Sequence, residues 1–478
     1  VSERKRDGAA IERSSGSRKP ASPDPVGAAG AQRGEAERSS IGIGLIGLGT
    51  IGTGVAKVLR NNRAVISQRL GFPLELVRIA DMDTERDRGV DLGGVRFDRD
   101  AAGLIADPNV QIVIELIGGY GAAKQFILAA IEAGKHVVTA NKALLAMHGR
   151  EIFDAAAKRG VDVAFEASVG GGIPILRSLR EGLSANRILS IHGIVNGTTN
   201  YVLTEMEKTG APFESVLKRA QDLGYAEADP TFDVDGIDAA HKLTLLVAMA
   251  YGADITPKDV HTEGIRGITP LDFEAAEEFG YRIKLLAIGR SHRDAQGRER
   301  VEARVHPTMI PADSLLAKVD GAMNAIAVHG DAVGPTLFYG AGAGEMPTAS
   351  AVVADLMEIA REIRRGSAGR VAPLSYRPDH LERKDLLALS EIEASCYLVF
   401  SVRDEPGVLG RIATALGAHG ISIESVLQKS ANAATGTVPI VVFTHPAREE
   451  AVRRALAVVD AMPEVAARTR LVRIETGV

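Results

Sequence analysis

The sequence has no tryptophan and only 4% aromatic residues, so it lacks the stacking platform on which single-strand nucleic-acid binders depend. Its one cysteine, Cys396, can neither close an internal disulfide nor build a cysteine-rich metal site. A reducing, cytoplasmic compartment is the expectation. Excess positive charge is missing as well. With 56 Lys+Arg against 61 Asp+Glu, the formal net charge of -5 gives no global field for nucleic acid or an anionic membrane. The longest apolar stretch, around Leu243–Ala250, is far short of the roughly 20 residues of a membrane span. Val1–Ser40 mixes Ser, Gly, Ala, Pro and both charges, without the apolar core of a secretory signal. It buries too little to offset its ordering entropy and reads as a disordered tail with no assigned function.

What remains is ordinary globular composition: 45% hydrophobic, 24% charged, with 51 Gly and 20 Pro. The 478 residues leave room for several domains. Ile41–Ile46 is a short apolar run, followed by Gly47-Leu-Gly49-Thr50-Ile51-Gly52 and a helical stretch over Thr53–Asn61. Strand, glycine turn and helix in that order form the dinucleotide fingerprint. Gly47 permits the turn, Gly49 lets a pyrophosphate approach the backbone, and Gly52 allows close helix–strand packing. The next strand, Glu75–Ala80, ends at Asp81, an acid placed to bond adenine ribose hydroxyls and so to lean toward NAD. Arg86 and Arg88 follow and are alternative receivers of a 2′-phosphate. Val110–Leu116 and His136–Thr139 read as buried parallel strands around a helix at Ala122–Ala133. Asn141-Lys142 lies at a strand's carboxyl end, where such sheets bind ligands.

A further strand, Val161–Phe165, leads into Glu166-Ala-Ser-Val169-Gly-Gly171-Gly-Ile173-Pro174, a loop suited either to chelating a hard cation or to hinging two domains. Strand Ile191–Val195 ends in Asn196-Gly197-Thr198-Thr199-Asn200, where hydroxyls and a helix start can hold a carboxylate or simply cap the helix. The richest stretch is Leu223-Gly-Tyr225-Ala-Glu227-Ala-Asp229-Pro-Thr-Phe-Asp233-Val-Asp235-Gly-Ile-Asp238-Ala-Ala-His241-Lys242. Asp238 and Lys242 are i,i+4 on one helix face, the acid first, which favours pairing. The helix beyond is apolar nearly all round and therefore buried. A lysine at its mouth, steadied by an acid, is placed to donate a proton. Glu227 and Asp233 remain for a substrate ammonium.

These segments resemble the homoserine dehydrogenase family, in its monofunctional bacterial form with a C-terminal regulatory domain, from Ile41 to the C-terminus. The resemblance implies reversible NAD(P)-dependent interconversion of L-homoserine and L-aspartate 4-semialdehyde, on the way to threonine, methionine and isoleucine. It implies Lys242 as proton donor, Asp238 as its support and Lys142 as a second lysine beside the nicotinamide. Glu227 becomes the main substrate ligand, helped by Asp233, Tyr225, Gly197 and Thr198. The glycine loop becomes a monovalent-cation (Na+) site of Glu166 with main-chain groups of Val169, Gly171 and Ile173. Ala80 stands where many relatives place an Arg that meets a 2′-phosphate, and Tyr120-Gly-Ala-Ala lacks a proline common in the family. The glycine-rich segment Tyr339–Thr348, with Gly344, is implied to lie over the cofactor.

Beyond a Gly/Pro/Ser-rich linker, the order βαββαβ predicts a ferredoxin-like sandwich, and Asp404-Glu-Pro-Gly-Val-Leu-Gly410 resembles the entry loop of an ACT domain. A threonine effector is implied there; a purely structural dimerisation module is the alternative. The expected fold is α/β: a tail (1–40), a Rossmann-type nucleotide domain (41–166), an α+β catalytic and dimerisation domain (167–338), a return segment (339–365), a linker (366–393) and the ACT domain (394–478). A homo-oligomer, dimer or tetramer, is expected, with no nucleic-acid or membrane partner. Two other functions share parts of this pattern: a dehydrogenase of another amino or hydroxy acid, and a non-catalytic amino-acid sensor.

Overall fold

The computed structural model describes residues 40–294, 296–428 and 436–478. The tail expected over 1–40 lies, apart from Ser40, outside the described residues. The first layer is a six-stranded parallel sheet in the order β3-β2-β1-β4-β5-β6. Its strands are β1 (Ile41–Ile46), β2 (Leu74–Ala80), β3 (Arg96–Asp98), β4 (Ile112–Glu115), β5 (His136–Thr139) and β6 (Val163–Ala164). Every residue of β1 and β4 is buried, as a sheet covered on both faces requires. Helices α1 (Thr50–Asn61), α2 (Gly121–Glu132) and α3 (Lys142–Arg159) follow β1, β4 and β5. Helix α1 starts at Thr50, three residues before the sequence reading, because Gly49 takes the N-cap place with backbone alone.

The second layer is antiparallel. It comprises β7 (Ile188–Ile194), β8 (Tyr281–Arg293), β9 (Glu299–Pro311), β10 (Met323–Gly330) and β11 (Gly334–Ala341), paired as β11-β10-β7-β8-β9. Helix α4 (Gly197–Thr209) begins directly after Asn196, whose side chain caps it by accepting from Thr199 N. The adjacent helix α5 (Ile237–Tyr251) is buried from Asp238 to its end. Helix α6 (Glu345–Arg365) then returns to the first layer, its Val352, Leu356 and Ile359 sharing a core with Ile43, Leu45 and Val55.

Residues 393–478 form the βαββαβ unit: β12 (Glu393–Arg403), α7 (Val408–Ala418), β13 (Ile423–Gln428), β14 (Thr437–Thr444), α8 (Glu449–Asp460) and β15 (Val465–Ile474). Strand order β15-β12-β14-β13 is that of a ferredoxin-like sheet. Unforeseen is its continuity with the catalytic sheet: β15 pairs in parallel with β9 through Thr308–Arg473 and Met309–Ile474. Among the described residues no helix is long and apolar enough to cross a membrane.

Buried ions fasten this seam. Fully buried Arg473 donates to Glu449 and to Glu263, and Glu475 pairs with Arg290 and Arg304. Arginine only donates, so the Nε2 of His192 must accept from Arg290 (2.9 Å). Burial first, then the Arg290 and Arg304 guanidiniums, push His192 down to about 4 against the pull of Glu475 and Glu302. The unfolded chain therefore binds more protons between pH ~6.5 and ~4, and stability falls as pH drops through that window by on the order of 3 kcal/mol. Urea melts of the wild type and of His192→Gln, which keeps an acceptor for Arg290, check this. The variant is expected to show the shallower pH dependence, and parallel curves would remove the assignment.

Candidate active site

The glycine turn leaves a cradle at the head of the parallel sheet. Gly47 has φ +98°, and a Cβ on Gly52 would stand 2.1 Å from the Gly47 carbonyl. At Gly49 a Cβ would meet nothing within 4 Å. Exposed Thr50 and half-buried Ile51 open α1, whose N-terminus has no side-chain cap. Free first-turn amides and the helix dipole suit a pyrophosphate, so these residues fit a dinucleotide. Gly344, at φ +121°, starts α6 beside the same turn: a Cβ on Gly54 would lie 2.8 Å from the Glu345 carbonyl. Lys57 and Glu345 pair at 2.7 Å.

Asp81 sits at the end of β2 with both oxygens engaged. Leu48 N donates to Oδ2 (2.5 Å) and Asp83 N to Oδ1 (2.8 Å). Arg88 folds back over the turn, donating to the carbonyls of Leu48, Asp83 and Arg86, 3.5 Å from Asp81. Arg86 is exposed.

Two strand ends and the first turns of α5 bring the polar groups together. Lys242 is 8% exposed and Asp238 3%. The Lys242 Nζ donates to Asp238 Oδ2 (2.6 Å) and to the Val195 carbonyl (2.6 Å), the last residue before the Asn196 cap. Lys142, first residue of α3, places its Nζ 3.2 Å from Asp238 Oδ1. Asn196 Nδ2 donates to Asp238 Oδ2 (2.8 Å) and to Asp233 Oδ1 (2.7 Å). Burial alone would raise Asp238; the Lys242 and Lys142 ammoniums and the Asn196 amide override it and hold the carboxyl far below its usual range. Burial lowers Lys242, and Asp238 resists the shift. An ammonium carries three protons, and among the described residues only two acceptors meet those on Lys242.

Of the remaining sequence candidates, Gly197 and Thr198 directly follow Asn196, and Tyr225 bonds to Thr198. Thr198 Oγ1 donates to the Tyr225 carbonyl (2.7 Å), and the Tyr225 ring stacks on Tyr201 at 4.5 Å. Gly197 lies so close to Ala322 that a Cβ would stand 2.7 Å from its carbonyl. Glu227 is exposed in the loop before α5, and its carboxylate has no partner among the described residues.

The glycine loop is packed rather than slack. Gly171 has φ +57°, and its Cβ would stand 2.5 Å from Gly342. Glu166 is buried and its carboxylate accepts from Leu176 N (2.9 Å) and Arg177 N (2.7 Å). Ile173 N donates to the Gly170 carbonyl and Gly172 N to Ala341, while no donor meets the Val169 or Gly171 carbonyl among the described residues. Nor do three His, Cys, Asp or Glu side chains gather into a metal cluster among those residues. The Ile173 carbonyl accepts from Ile175 N (2.8 Å), so among the described residues the main-chain oxygens left for a cation are those of Val169 and Gly171, with one buried carboxylate behind them.

Asn196 is the group the sequence undervalues, as one of four polar residues in the stretch 196–200; its bridge between two acids depends on long-range packing that no local spacing reports.

Three family profiles match the chain: the homoserine dehydrogenase NAD-binding domain over residues 47–166, homoserine dehydrogenase over 174–357 and the ACT domain over 397–461. The homoserine dehydrogenase of Neisseria gonorrhoeae is 48% identical over 436 residues, 91% of this chain and 99% of that one. That of Pseudomonas aeruginosa is 47% identical over 433 residues, covering 91% and 98%. The crystal structure of a homoserine dehydrogenase from Thiobacillus denitrificans superposes with a TM-score of 0.85 at 47% identity, covering 92% of this chain and 99% of that one. Another, from S. aureus, gives 0.70 at 32% identity, covering 92% and 100%. With similarity running the length of both chains, this protein belongs to the homoserine dehydrogenase family, NAD(P)-dependent oxidoreductases acting on a CH–OH group.

Proposed function

We propose that the chain interconverts L-homoserine and L-aspartate 4-semialdehyde at the Lys242–Asp238–Lys142 cluster, in the route to threonine, methionine and isoleucine. One observation carries the reading: a buried ammonium held by Asp238 and the Val195 carbonyl keeps one proton without an acceptor among the described residues. In the aldehyde-reducing direction that Nζ proton passes to the substrate oxygen as negative charge develops there. The burial that lowers Lys242 makes it the better acid. Lys142 adds positive potential, and Asp238 keeps both lysines in register. Glu227 and Asp233 hold the substrate ammonium, while Tyr225, Gly197 and Thr198 line its carboxylate side. The nicotinamide cofactor supplies or accepts the hydride when bound.

Gly47, Gly49, Thr50, Ile51, Gly52 and Gly344 cradle that cofactor. A hyperthermophilic archaeal homoserine dehydrogenase in complex with NADPH, 25% identical with a TM-score of 0.56, supports a nicotinamide cofactor. Asp81 stands at the ribose end and steadies the glycine turn. Glu166 and the main chain of Val169, Gly171 and Ile173 would hold a monovalent cation, Na+, whose charge would steady the glycine loop. The ACT domain takes threonine as effector, and the chain works as a cytoplasmic homo-oligomer, dimer or tetramer. Initial rates with L-homoserine and either NAD or NADP, with and without threonine and Na+, test this set. Reduced nicotinamide is expected to accumulate, and no absorbance change with either cofactor would end the reading.

A further inference from the structure

Glu115, the last residue of β4, is a carboxylate with 0% exposure that the mechanism above leaves without a role. It stands in register with Ile46 of β1 on one side and Thr139 of β5 on the other, at the carboxyl ends of all three strands. Its Oε1 accepts from the backbone amides of Ile117 (2.9 Å) and Gly118 (3.1 Å), and its Oε2 from Thr139 Oγ1 (2.7 Å). Burying a carboxylate is costly, and one retained at full burial with three donors fixes the segments that supply them.

Those segments are walls of the site. Gly118 and Gly119 both have positive φ and would wander without an anchor. A Cβ on Gly47 would stand 2.8 Å from Leu116 and 3.0 Å from Ile117, so the dinucleotide turn abuts the loop that Glu115 holds. On the other side Thr139 Oγ1 accepts from Asn141 N (3.0 Å). Asn141 donates from Nδ2 to the Gly119 carbonyl (2.7 Å), and its Oδ1 caps α3 by accepting from Leu144 N (3.1 Å). Lys142 is the first residue of that helix. A closed ring of bonds thus runs from Glu115 through Thr139 and Asn141 to Gly119.

We propose that Glu115 is a positioning residue, which through Thr139 and Asn141 sets where the Lys142 ammonium stands against Asp238 and the reacting carbon. The inference rests on the assignment of Lys142 to the active site.

Glu115→Ala, Glu115→Gln and Thr139→Val test it, with Lys142→Ala as the reference. Glutamine keeps an oxygen for the two amides but faces Thr139, a donor to Glu115, with an NH2, so that bond survives only if the hydroxyl turns to accept, and kcat should fall between those of the wild type and Glu115→Ala. Alanine removes the anchor, and a lysine displaced by about an ångström is expected to lower kcat about a hundredfold with the KM for homoserine held within about threefold. Valine in place of Thr139 should give part of that loss, and the Glu115→Ala/Thr139→Val pair no more than Glu115→Ala alone, since both act through one route. A folded Glu115→Ala enzyme with near-normal kcat, beside an inactive Lys142→Ala, overturns the inference and leaves the site reading standing. An active Lys142→Ala enzyme would instead remove the site reading. If Glu115→Ala does not fold, Thr139→Val decides: a normal kcat overturns the proposal, and a lowered kcat at unchanged homoserine KM upholds it.

Discussion

Lys242→Met is expected to lower kcat with L-homoserine about a thousandfold, within the range that loss of a positioned acid or base produces. Methionine nearly matches the lysine stem in volume, so the packing around α5 survives while the ammonium goes. Asp238 is not orphaned by the change, because Lys142 and Asn196 still face its two oxygens. Fold and cofactor binding should therefore persist, read as an unchanged melt and an unchanged fluorescence titration with reduced nicotinamide. The residual rate reflects orientation and the remaining positive potential of Lys142. Turnover within tenfold of wild type in a folded Lys242→Met enzyme would take the proton-donor role away from this residue.

Asp238→Ala should strike stability as well as rate. The wild-type carboxylate takes Lys242, Lys142 and Asn196 together, so its removal leaves a buried ammonium with the Val195 carbonyl alone and a second cation nearby. Breaking one side of a buried pair costs about 3–5 kcal/mol, which urea denaturation resolves. Asp238→Asn separates charge from shape. The amide oxygen keeps a bond to Lys242 but withdraws the charge that supports its ammonium, so Lys242 falls below where it stands in the wild type. Aldehyde reduction requires the protonated amine, and its alkaline limb should move down by about one pH unit or more. An unmoved limb together with a wild-type melt of Asp238→Ala would show the carboxylate to be a bystander.

Local chemistry made much of this legible. The glycine turn, the period-free apolar strands and the i,i+4 Asp238–Lys242 pair each depend on spacing within a few residues, and each stands in the structure where the sequence puts it. Helix starts were harder to place: Gly49 caps α1 by backbone alone, and Asn196 caps α4 through a side chain that also serves two acids. Contacts across long separations left no local trace. Lys142 meets Asp238 across ninety-six positions only because α3 and α5 pack together. The linker, read as a bare connection, in fact lies along the catalytic domain, bridging Ala253 to Glu382 and Val301 to Leu386. Glu115 passed for one more residue of an apolar strand, since only the fold shows which way a strand-end acid turns.

The seam between β9 and β15 bears on any effort to trim the ACT domain from this protein. Cutting the gene before Val465 would bare the Thr308–Met309 edge, which invites sticking to other chains. It would also leave Arg290 and Arg304 facing the space vacated by Glu475, and Glu263 without Arg473. Such a shortened product is headed for inclusion bodies. Single exchanges in the Asp404–Gly410 loop leave that stitching whole and are the gentler way to test the proposed effector site.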